Sequence, residues 1–129
     1  MSLLLQALSS SNCPITSPSF YQIGHCDGAI NGGFQIDQDG IPSVLLCSNH
    51  ILDQETMDRT VTHELIHAYD TCTNNVDWNN CQHLACTEVR AASLSGDCNW
   101  KYEFLRSHFN LAGQHQVIEY LNVFLERSF

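Results

Sequence analysis

Apolar residues recur every three or four positions between residues 54 and 72, the spacing that places side chains on one face of an α-helix. Asp53 stands immediately before this segment, where its carboxylate can cap the first turn. The pattern therefore predicts a first helix over residues 54–72, whose apolar face is formed by Met57, Val61, Leu65, Ala68 and Tyr69.

The segment before this helix follows a different period. Residues 34–37 alternate between apolar and polar side chains, residues 38–40 read Gln-Asp-Gly, and residues 44–47 form a short apolar run. Alternation, a turn signal and a second apolar run predict a β-hairpin. Gly32 and Gly33 precede the hairpin, where they serve a bulge, a close approach of backbone or a plain loop.

A second helical pattern spans residues 81–95, and Gly96 follows it at the position where a left-handed residue commonly ends a helix. Further helices are predicted over residues 100–109 and 116–126.

The ends of the chain differ from its middle. Residues 1–19 are rich in serine and include two prolines, so we expect a flexible N-terminal segment outside the core. A length of 129 residues suits one compact domain, which we place over residues 20–116. Residues 117–129 are then a C-terminal helix or tail.

Charge narrows the possible partners. The chain has 14 acidic and 5 basic residues and a net charge of −9, which repels nucleic acid and anionic lipid headgroups. The apolar stretch at residues 3–8 has no basic neighbour, and it is too short for a persuasive signal peptide. No run approaches the roughly 20 apolar residues that span a bilayer. We expect a soluble or peripheral protein that does not bind nucleic acid directly.

Seven cysteines are spread along the chain without a Cys-x-x-Cys pair, so a structural zinc site made of thiolates is not indicated. Their number suits a disulfide-bonded domain in an oxidising compartment, with at least one thiol left unpaired. The alternative is that several are small buried apolar residues.

The strongest chemical signal lies on the first predicted helix, where residues 63–67 read His-Glu-Leu-Ile-His. Two histidines four positions apart stack on one helix face, so His63 and His67 can bind a single Zn²⁺. Glu64 is placed to act as general base on a water at that metal. The implied reaction is hydrolysis of a peptide bond, and the uncharged residues around the motif favour this reading over chance.

A catalytic zinc site usually has three protein ligands, and the sequence offers three candidates for the third. Asp70 follows on the same helix, too far along its axis to close the site, so a supporting role or a capping role suits it better. His83 and Glu88 share the second helix and lie about 140° apart, so only one of them faces the zinc. We favour Glu88, with His83 as the alternative ligand or as a hydrogen-bond donor.

The choice of Glu88 depends on its neighbours. It lies on the stripe of small and apolar residues of the second helix, where an isolated carboxylate would be costly without a cation. An ion pair with Arg90 or Arg59 is the competing explanation. We further expect the strand at residues 44–47 to pair with an extended peptide substrate.

Several segments together resemble the mitochondrial inner membrane proteases that process and assemble the ATP synthase, also called the Ku-antigen-binding protein family. The resemblance covers residues 20–116, whereas residues 117–129 depart from it and form an atypical end. It is carried by residues 46–49, 63–70, 76–78, 83–91 and 94–98.

This resemblance implies a zinc endopeptidase at the intermembrane-space side of the mitochondrial inner membrane, with peripheral membrane association. It implies that Glu64 is the catalytic residue and that His63 and His67 are zinc ligands. The implied protein substrate is a precursor of an ATP synthase membrane-sector subunit, and the family also aids assembly of that sector.

The sequence thus predicts a zincin-like α+β domain, in which a small antiparallel sheet packs on the helix of His63 and His67 and a second helix supplies Glu88. A metalloendopeptidase is the leading function. A non-proteolytic assembly chaperone with an idle zinc site is the alternative, and a protein-binding adaptor is a further one. Glu64 favours the enzyme, because a structural site has no use for that carboxylate.

Overall fold

The computed structural model describes residues 2–11, 13 and 15–96. Three helices and three strands follow one another along this part of the chain, which makes it an α+β domain. The elements are α1 (Ser2–Ser10), β1 (Tyr21–Gly24), β2 (Gly32–Ile36), β3 (Pro42–Cys47), α2 (Gln54–Thr73) and α3 (Cys81–Ser95). The predicted helices at 100–109 and 116–126 lie outside the described residues, as does the predicted tail at 117–129.

The three strands form one sheet in the order β1-β3-β2. Strands β2 and β3 are antiparallel, with Phe34 opposite Val44, which confirms the predicted hairpin. Strand β1 pairs with the other side of β3 in parallel, so the prediction of a purely antiparallel sheet is wrong. The four-residue strand β1 left no clear signal, because its pairing partner lies about twenty positions further along the chain.

The central position of β3 has a consequence for substrate binding. Both edges of β3 are occupied, one by β1 and the other by β2. An extended peptide therefore finds no free backbone groups along residues 44–47, and the prediction that this strand binds substrate is wrong. Among the residues that the structure describes, the outer edge of β2 has no neighbouring strand.

Gly32 is a place where backbone and helix come close together. A Cβ atom at this position would lie 2.8 Å from the Leu45 carbonyl oxygen and 2.8 Å from Cγ2 of Thr60, distances at which real Cβ atoms do not pack. Only glycine therefore allows β2 to approach both β3 and α2 at this point. Of the roles predicted for Gly32, the close approach is the one observed.

Helices α2 and α3 begin and end as their capping residues predict. The Asp53 side chain accepts a hydrogen bond of 2.7 Å from the Thr56 backbone N–H, and α2 ends one residue after the predicted limit. The Asn80 side chain caps α3 in the same way, and Gly96 ends that helix in the left-handed conformation with φ of 89°. Both helix predictions are confirmed.

The N-terminal segment belongs to the core, so the prediction that the core begins only near Phe20 is wrong. Leu8 of α1 is fully buried, and Ile15 is nearly so. Serines and prolines suggested a loop, but Ser10 and Ser11 instead donate hydrogen bonds to carbonyls of the last turn of α1. The buried cluster comprises Leu8, Cys13, Ile15, Phe20, Val44, Leu46, Leu65 and Ala68.

Two disulfides join distant parts of the chain, which confirms the predicted disulfide-bonded character. Cys13–Cys72 ties the segment after α1 to the last turns of α2, across 59 positions. Cys26–Cys47 ties the loop after β1 to the end of β3, across 21 positions. Disulfides are common in small domains, whose hydrophobic cores are limited in size.

Unpaired thiols occur on α3. Cys81 is exposed and Cys86 is half-buried, and neither forms a disulfide. Cys98 lies outside the described residues.

Candidate metal centre

The structure brings His63, His67 and Glu88 together. Nε2 of His63 lies 3.5 Å from one Glu88 carboxylate oxygen, and Nε2 of His67 lies 3.5 Å from the other. All three potential ligand atoms lie within 4.8 Å of one another. A tetrahedral zinc site with bonds of about 2.0–2.1 Å has ligand–ligand edges of about 3.3–3.4 Å, so both measured separations are close to what zinc requires.

The two histidines owe their position to helix α2. They are one turn apart, and their ring centroids are 4.9 Å from each other. Glu88 comes from α3, which packs beside α2. The group therefore combines two ligands from one helix with one from its neighbour, a donor set of two imidazoles and one carboxylate that is common in catalytic zinc sites.

Glu88 lies beside the two histidines, but its surroundings differ from those predicted. Its side chain is 59% exposed, so the expectation of a carboxylate set into a buried apolar face is wrong. The buried residues of α3 are Thr87 and Ala91. Ala91 belongs to the expected stripe, whereas Thr87 lies outside it, one position before Glu88. The helix is thus rotated so that Glu88 stands at the rim of the contact with α2.

His83 does not join the group. It is exposed, and its Nδ1 accepts a hydrogen bond of 3.0 Å from the backbone N–H of Asp77 in the loop before α3. This bond holds the imidazole at the start of α3, whereas Glu88 lies more than one turn further on. Of the two candidate third ligands on this helix, the structure places only Glu88 near the histidine pair.

Glu64 is a buried carboxylate, with 7% of its surface exposed. It follows His63 directly on α2, so it stands about 100° around the helix from that histidine. Burial of a charged group is unfavourable, so the buried position of Glu64 does not serve to stabilise the helix. Its place beside the histidine pair points to a role at the site.

Burial also determines the protonation of His67. Its pKa is lowered to about 4, because the lowering by desolvation and by the neighbouring His63 exceeds the raising by the Glu88 carboxylate. The imidazole is therefore neutral at pH 7, which is the form that binds a metal ion.

A buried polar network supports His67 from behind. The Thr87 hydroxyl lies 2.9 Å from Nδ1 of His67 and donates a hydrogen bond of 2.7 Å to Oδ2 of Asp70. Nη1 of Arg90 lies 2.7 Å from Oδ1 of Asp70, which makes the two side chains a close ion pair. Arg90, one of the two cations predicted for Glu88, thus contacts Asp70.

Asp70 is 2% exposed, and burial raises the pKa of its carboxyl group, while the Thr87 hydrogen bond and the Arg90 charge lower it. Its side chain meets His67 only through Thr87. The sequence predicted a supporting role for Asp70, but it gave no prediction for Thr87. The one signal in the sequence was that Thr87 directly precedes Glu88, the favoured third ligand.

Aromatic rings cover the outer side of His67. Phe34 of β2 and Trp78 of the loop before α3 have ring centroids 6.2 and 6.0 Å from the His67 ring, and 5.4 Å from each other. These rings exclude water from one side of the imidazole and connect β2 to the metal-ligand group.

Comparison with known proteins identifies the family. The model of the Peptidase M76 family matches residues 1–118, a range that includes every candidate site residue. The chain belongs to the peptidase M76 family. The resemblance inferred from its motifs is thereby confirmed.

Relatives of this M76 chain carry a consistent name. It is 47% identical over 116 residues to the mitochondrial inner membrane protease ATP23 homolog of Xenopus laevis, a match that covers 89% of the chain and 48% of the relative. The Homo sapiens homolog is 46% identical over 116 residues, with 89% and 46% covered. The mitochondrial inner membrane protease ATP23 of Malassezia globosa is 45% identical over 104 residues, with 78% of the chain and 42% of the relative covered.

The M76 chain spans about half the length of these curated relatives. No solved structure shows significant similarity to it. Among the residues that the structure describes, no helix is both long enough and apolar enough to cross a bilayer.

Proposed function

We propose that the chain is a zinc-dependent metalloendopeptidase, in which His63, His67 and Glu88 hold one zinc ion and Glu64 is the catalytic residue. The observation that carries this proposal is the convergence of two imidazoles and one carboxylate beside a buried glutamate. Membership of a peptidase family agrees with it.

The residues present fit zinc by their chemistry. Nitrogen and carboxylate oxygen are donors that zinc accepts, and three protein ligands leave a position for the reaction. Zinc, when bound, polarises a peptide carbonyl and makes water more acidic. His67 is already neutral at pH 7, so it can bind the metal without first losing a proton.

Glu64 supplies the proton transfer. Its carboxylate accepts a proton from the attacking water and passes it to the leaving amine, so the same oxygen acts first as base and then as acid. Its burial strengthens both interactions, because few water molecules compete for the carboxylate. Amide substitution at this position leaves the shape of the site and removes the proton acceptor.

We propose that the substrate binds as an additional strand along the open edge of β2. Gly33 and Gln35 face β3 in the antiparallel register, so the backbone groups of Gly32, Phe34 and Ile36 point away from the sheet. Phe34 also contacts the metal-ligand group through His67. A peptide on this edge would therefore run past the zinc ligands.

The proposed cellular role follows from the relatives. Their names place them at the mitochondrial inner membrane as proteases. We propose the same location for this chain, peripheral and on the intermembrane-space side, where two disulfides form readily. Its proposed substrate is a precursor of an ATP synthase membrane-sector subunit, with a further role in the assembly of that enzyme.

The test combines metal analysis with a cleavage assay of the full chain on the candidate precursor. Wild type should contain one zinc and cleave the precursor. Glu64→Gln should retain zinc and lose cleavage by about 100-fold to 10,000-fold, the usual contribution of a general base. Glu55→Gln, an exposed change of the same charge on the same helix, is the matched control and should cleave normally.

Wild type that binds zinc and cleaves no faster than Glu64→Gln would contradict the enzymatic proposal and favour the assembly chaperone.

A further inference from the structure

A continuous chain of polar contacts runs from the candidate zinc ligand His67 to Arg90 on α3. Its members are His67, Thr87, Asp70 and Arg90, and the successive separations are 2.9, 2.7 and 2.7 Å. The first three residues are between 1% and 4% exposed, so water does not compete for their hydrogen bonds. Such a chain fixes the direction of each hydrogen bond in it.

The direction follows from the chemistry of each group. An ionised carboxylate only accepts, and Arg90 at 2.7 Å favours that form of Asp70, so the single hydroxyl proton of Thr87 points to Asp70. Towards His67 the Thr87 oxygen is then an acceptor. Nδ1 of His67 must therefore carry the proton that it donates to this oxygen. Nε2 then has no proton, and its lone pair is free.

Nε2 is the atom that faces the other ligands. It lies 3.5 Å from Glu88, on the side of the ring opposite the Thr87 contact. The hydrogen-bond chain therefore selects the tautomer of His67 whose free nitrogen points into the site.

Thr87 also bears on the third ligand. It precedes Glu88 on α3, and its two hydrogen bonds both reach residues of α2. The Glu88 side chain is 59% exposed, so packing does little to hold it. The rotation of α3 that presents Glu88 to the histidines is fixed by its buried neighbour.

We propose that Thr87 is a positioning residue of this site. It selects the Nδ1–H tautomer of His67 through a hydroxyl that is oriented by Asp70 and Arg90, and it holds α3 so that Glu88 completes the ligand set. This inference rests on the proposed zinc site, and it is independent of which substrate the site cleaves.

Zinc affinity of the full chain, measured by competition with a chelator at pH 7, tests the proposal. Thr87→Val keeps the volume and removes the hydroxyl, and it should weaken zinc binding by about 10–100-fold, the usual effect of removing a group that orients a ligand. Thr87→Ser keeps the hydroxyl and should stay within about threefold of wild type. Thr71→Val is the matched control, because its hydroxyl bonds only to the backbone carbonyl of His67.

Equal zinc affinity of Thr87→Val and wild type would overturn the proposal, as would an equal loss in Thr71→Val and Thr87→Val. Thr87→Ser that binds as poorly as Thr87→Val would overturn it as well.

A second measurement needs no cleavage assay, and its wild-type result tests the proposal without a variant. Long-range ¹H–¹⁵N correlation of the metal-free wild type should show His67 as the Nδ1–H tautomer, and Thr87→Val should shift it towards the Nε2–H tautomer or a mixture. A wild-type His67 protonated at Nε2 would overturn the proposal even if Thr87→Val fails to fold. Failure of the peptidase proposal would appear separately, as a chain that binds zinc and shows these signals without cleaving the precursor.

Discussion

Helix α2 has two buried faces of opposite character. Towards α1 and the sheet it presents Leu65 and Ala68, both fully buried among other apolar side chains. Towards α3 it presents His67 and Asp70, which are almost as deeply buried but satisfy each other through Thr87. Burial alone therefore does not separate core from site. The apolar face stabilises the fold, whereas the polar face contains the proposed zinc ligand His67, and hydrogen bonds offset the cost of desolvating its polar groups.

This comparison predicts that substitutions on the two faces of α2 affect different properties of the protein. Changes on the polar face should lower the zinc affinity of the folded protein. Changes on the apolar face should lower the free energy of unfolding and leave the zinc affinity of folded protein unchanged.

The largest effect is expected for Glu88→Gln, at the rim of the polar face. A neutral amide replaces the Glu88 carboxylate, so one of the three proposed protein ligands can no longer bind zinc as an anion. Purified protein should therefore lose zinc, as measured by elemental analysis, and lose cleavage with it. Asp39→Asn, an equal charge change in the exposed hairpin turn, should retain both.

Full zinc occupancy in Glu88→Gln would remove Glu88 from the ligand set.

Next in size is the removal of the Cys13–Cys72 disulfide, which anchors the N-terminal segment beside the apolar face. Loop-closure entropy for 59 residues gives a loss of about 4 kcal/mol on replacing both cysteines by serine. The 21-residue loop of Cys26–Cys47 gives about 3 kcal/mol by the same relation. Denaturant unfolding of both double variants checks the order, and the reverse order would show that the N-terminal segment contributes less than its burial suggests.

Leu65→Ala probes the apolar face directly. Truncation of a fully buried leucine should cost about 2–5 kcal/mol of unfolding free energy. Leu94→Ala, at a position of α3 that is 65% exposed, should change it by no more than about 0.5 kcal/mol. Zinc affinity measured below the unfolding transition should match wild type in both variants; a selective loss of affinity in Leu65→Ala would mean that the two faces are coupled.

The smallest effect on stability is expected at Asp53, which caps α2 and therefore stabilises the helix that carries both faces. Hydrogen bonds from Thr56 hold the pKa of Asp53 below its ordinary value. Because the folded-state pKa is the lower one, the stabilisation is present above the unfolded-state pKa of about 3.9 and is lost as the pH falls through the folded-state value. Asp53→Ala should therefore lower the melting temperature modestly at pH 7, and the difference from wild type should shrink below about pH 4.

Asp53→Asn keeps an oxygen acceptor without a titrating group, so its difference from Asp53→Ala should not depend on pH in that range. A difference between wild type and Asp53→Ala that stays constant down to pH 2 would contradict the capping role.

Local signals predicted most of the fold near the site. Asp53 and Gly96 mark helix ends through a hydrogen bond and a dihedral angle that involve only a few neighbouring residues. The hairpin at 34–47 contains a turn sequence that is recognisable without its distant contacts. Helix α1 and strand β1 escaped prediction because their stability comes from distant partners. Leu8 is buried by other elements of the core cluster, and β1 exists only through its parallel pairing with β3.

The candidate site shows the same division. The spacing of His63 and His67 on one helix turn is local, so the motif predicts it. Glu88 was selected from an expected buried face, whereas it lies at an exposed rim, since the rotation of α3 depends on packing against α2. Thr87 was missed for the same reason, because a threonine in a helix reveals its hydrogen-bond partners only when the neighbouring helix is in place.

Zinc-edge X-ray absorption of the zinc-loaded full chain tests the central claim most directly, because it reports which atoms surround the metal. His63, His67 and Glu88 predict a first shell of nitrogen and oxygen at about 2.0–2.2 Å, with the outer-shell scattering of two imidazoles. Glu88→Gln should lose this signal. A sulfur shell at about 2.3 Å, from thiols such as Cys81 or Cys86, or a shell with fewer than two imidazoles, would contradict the account.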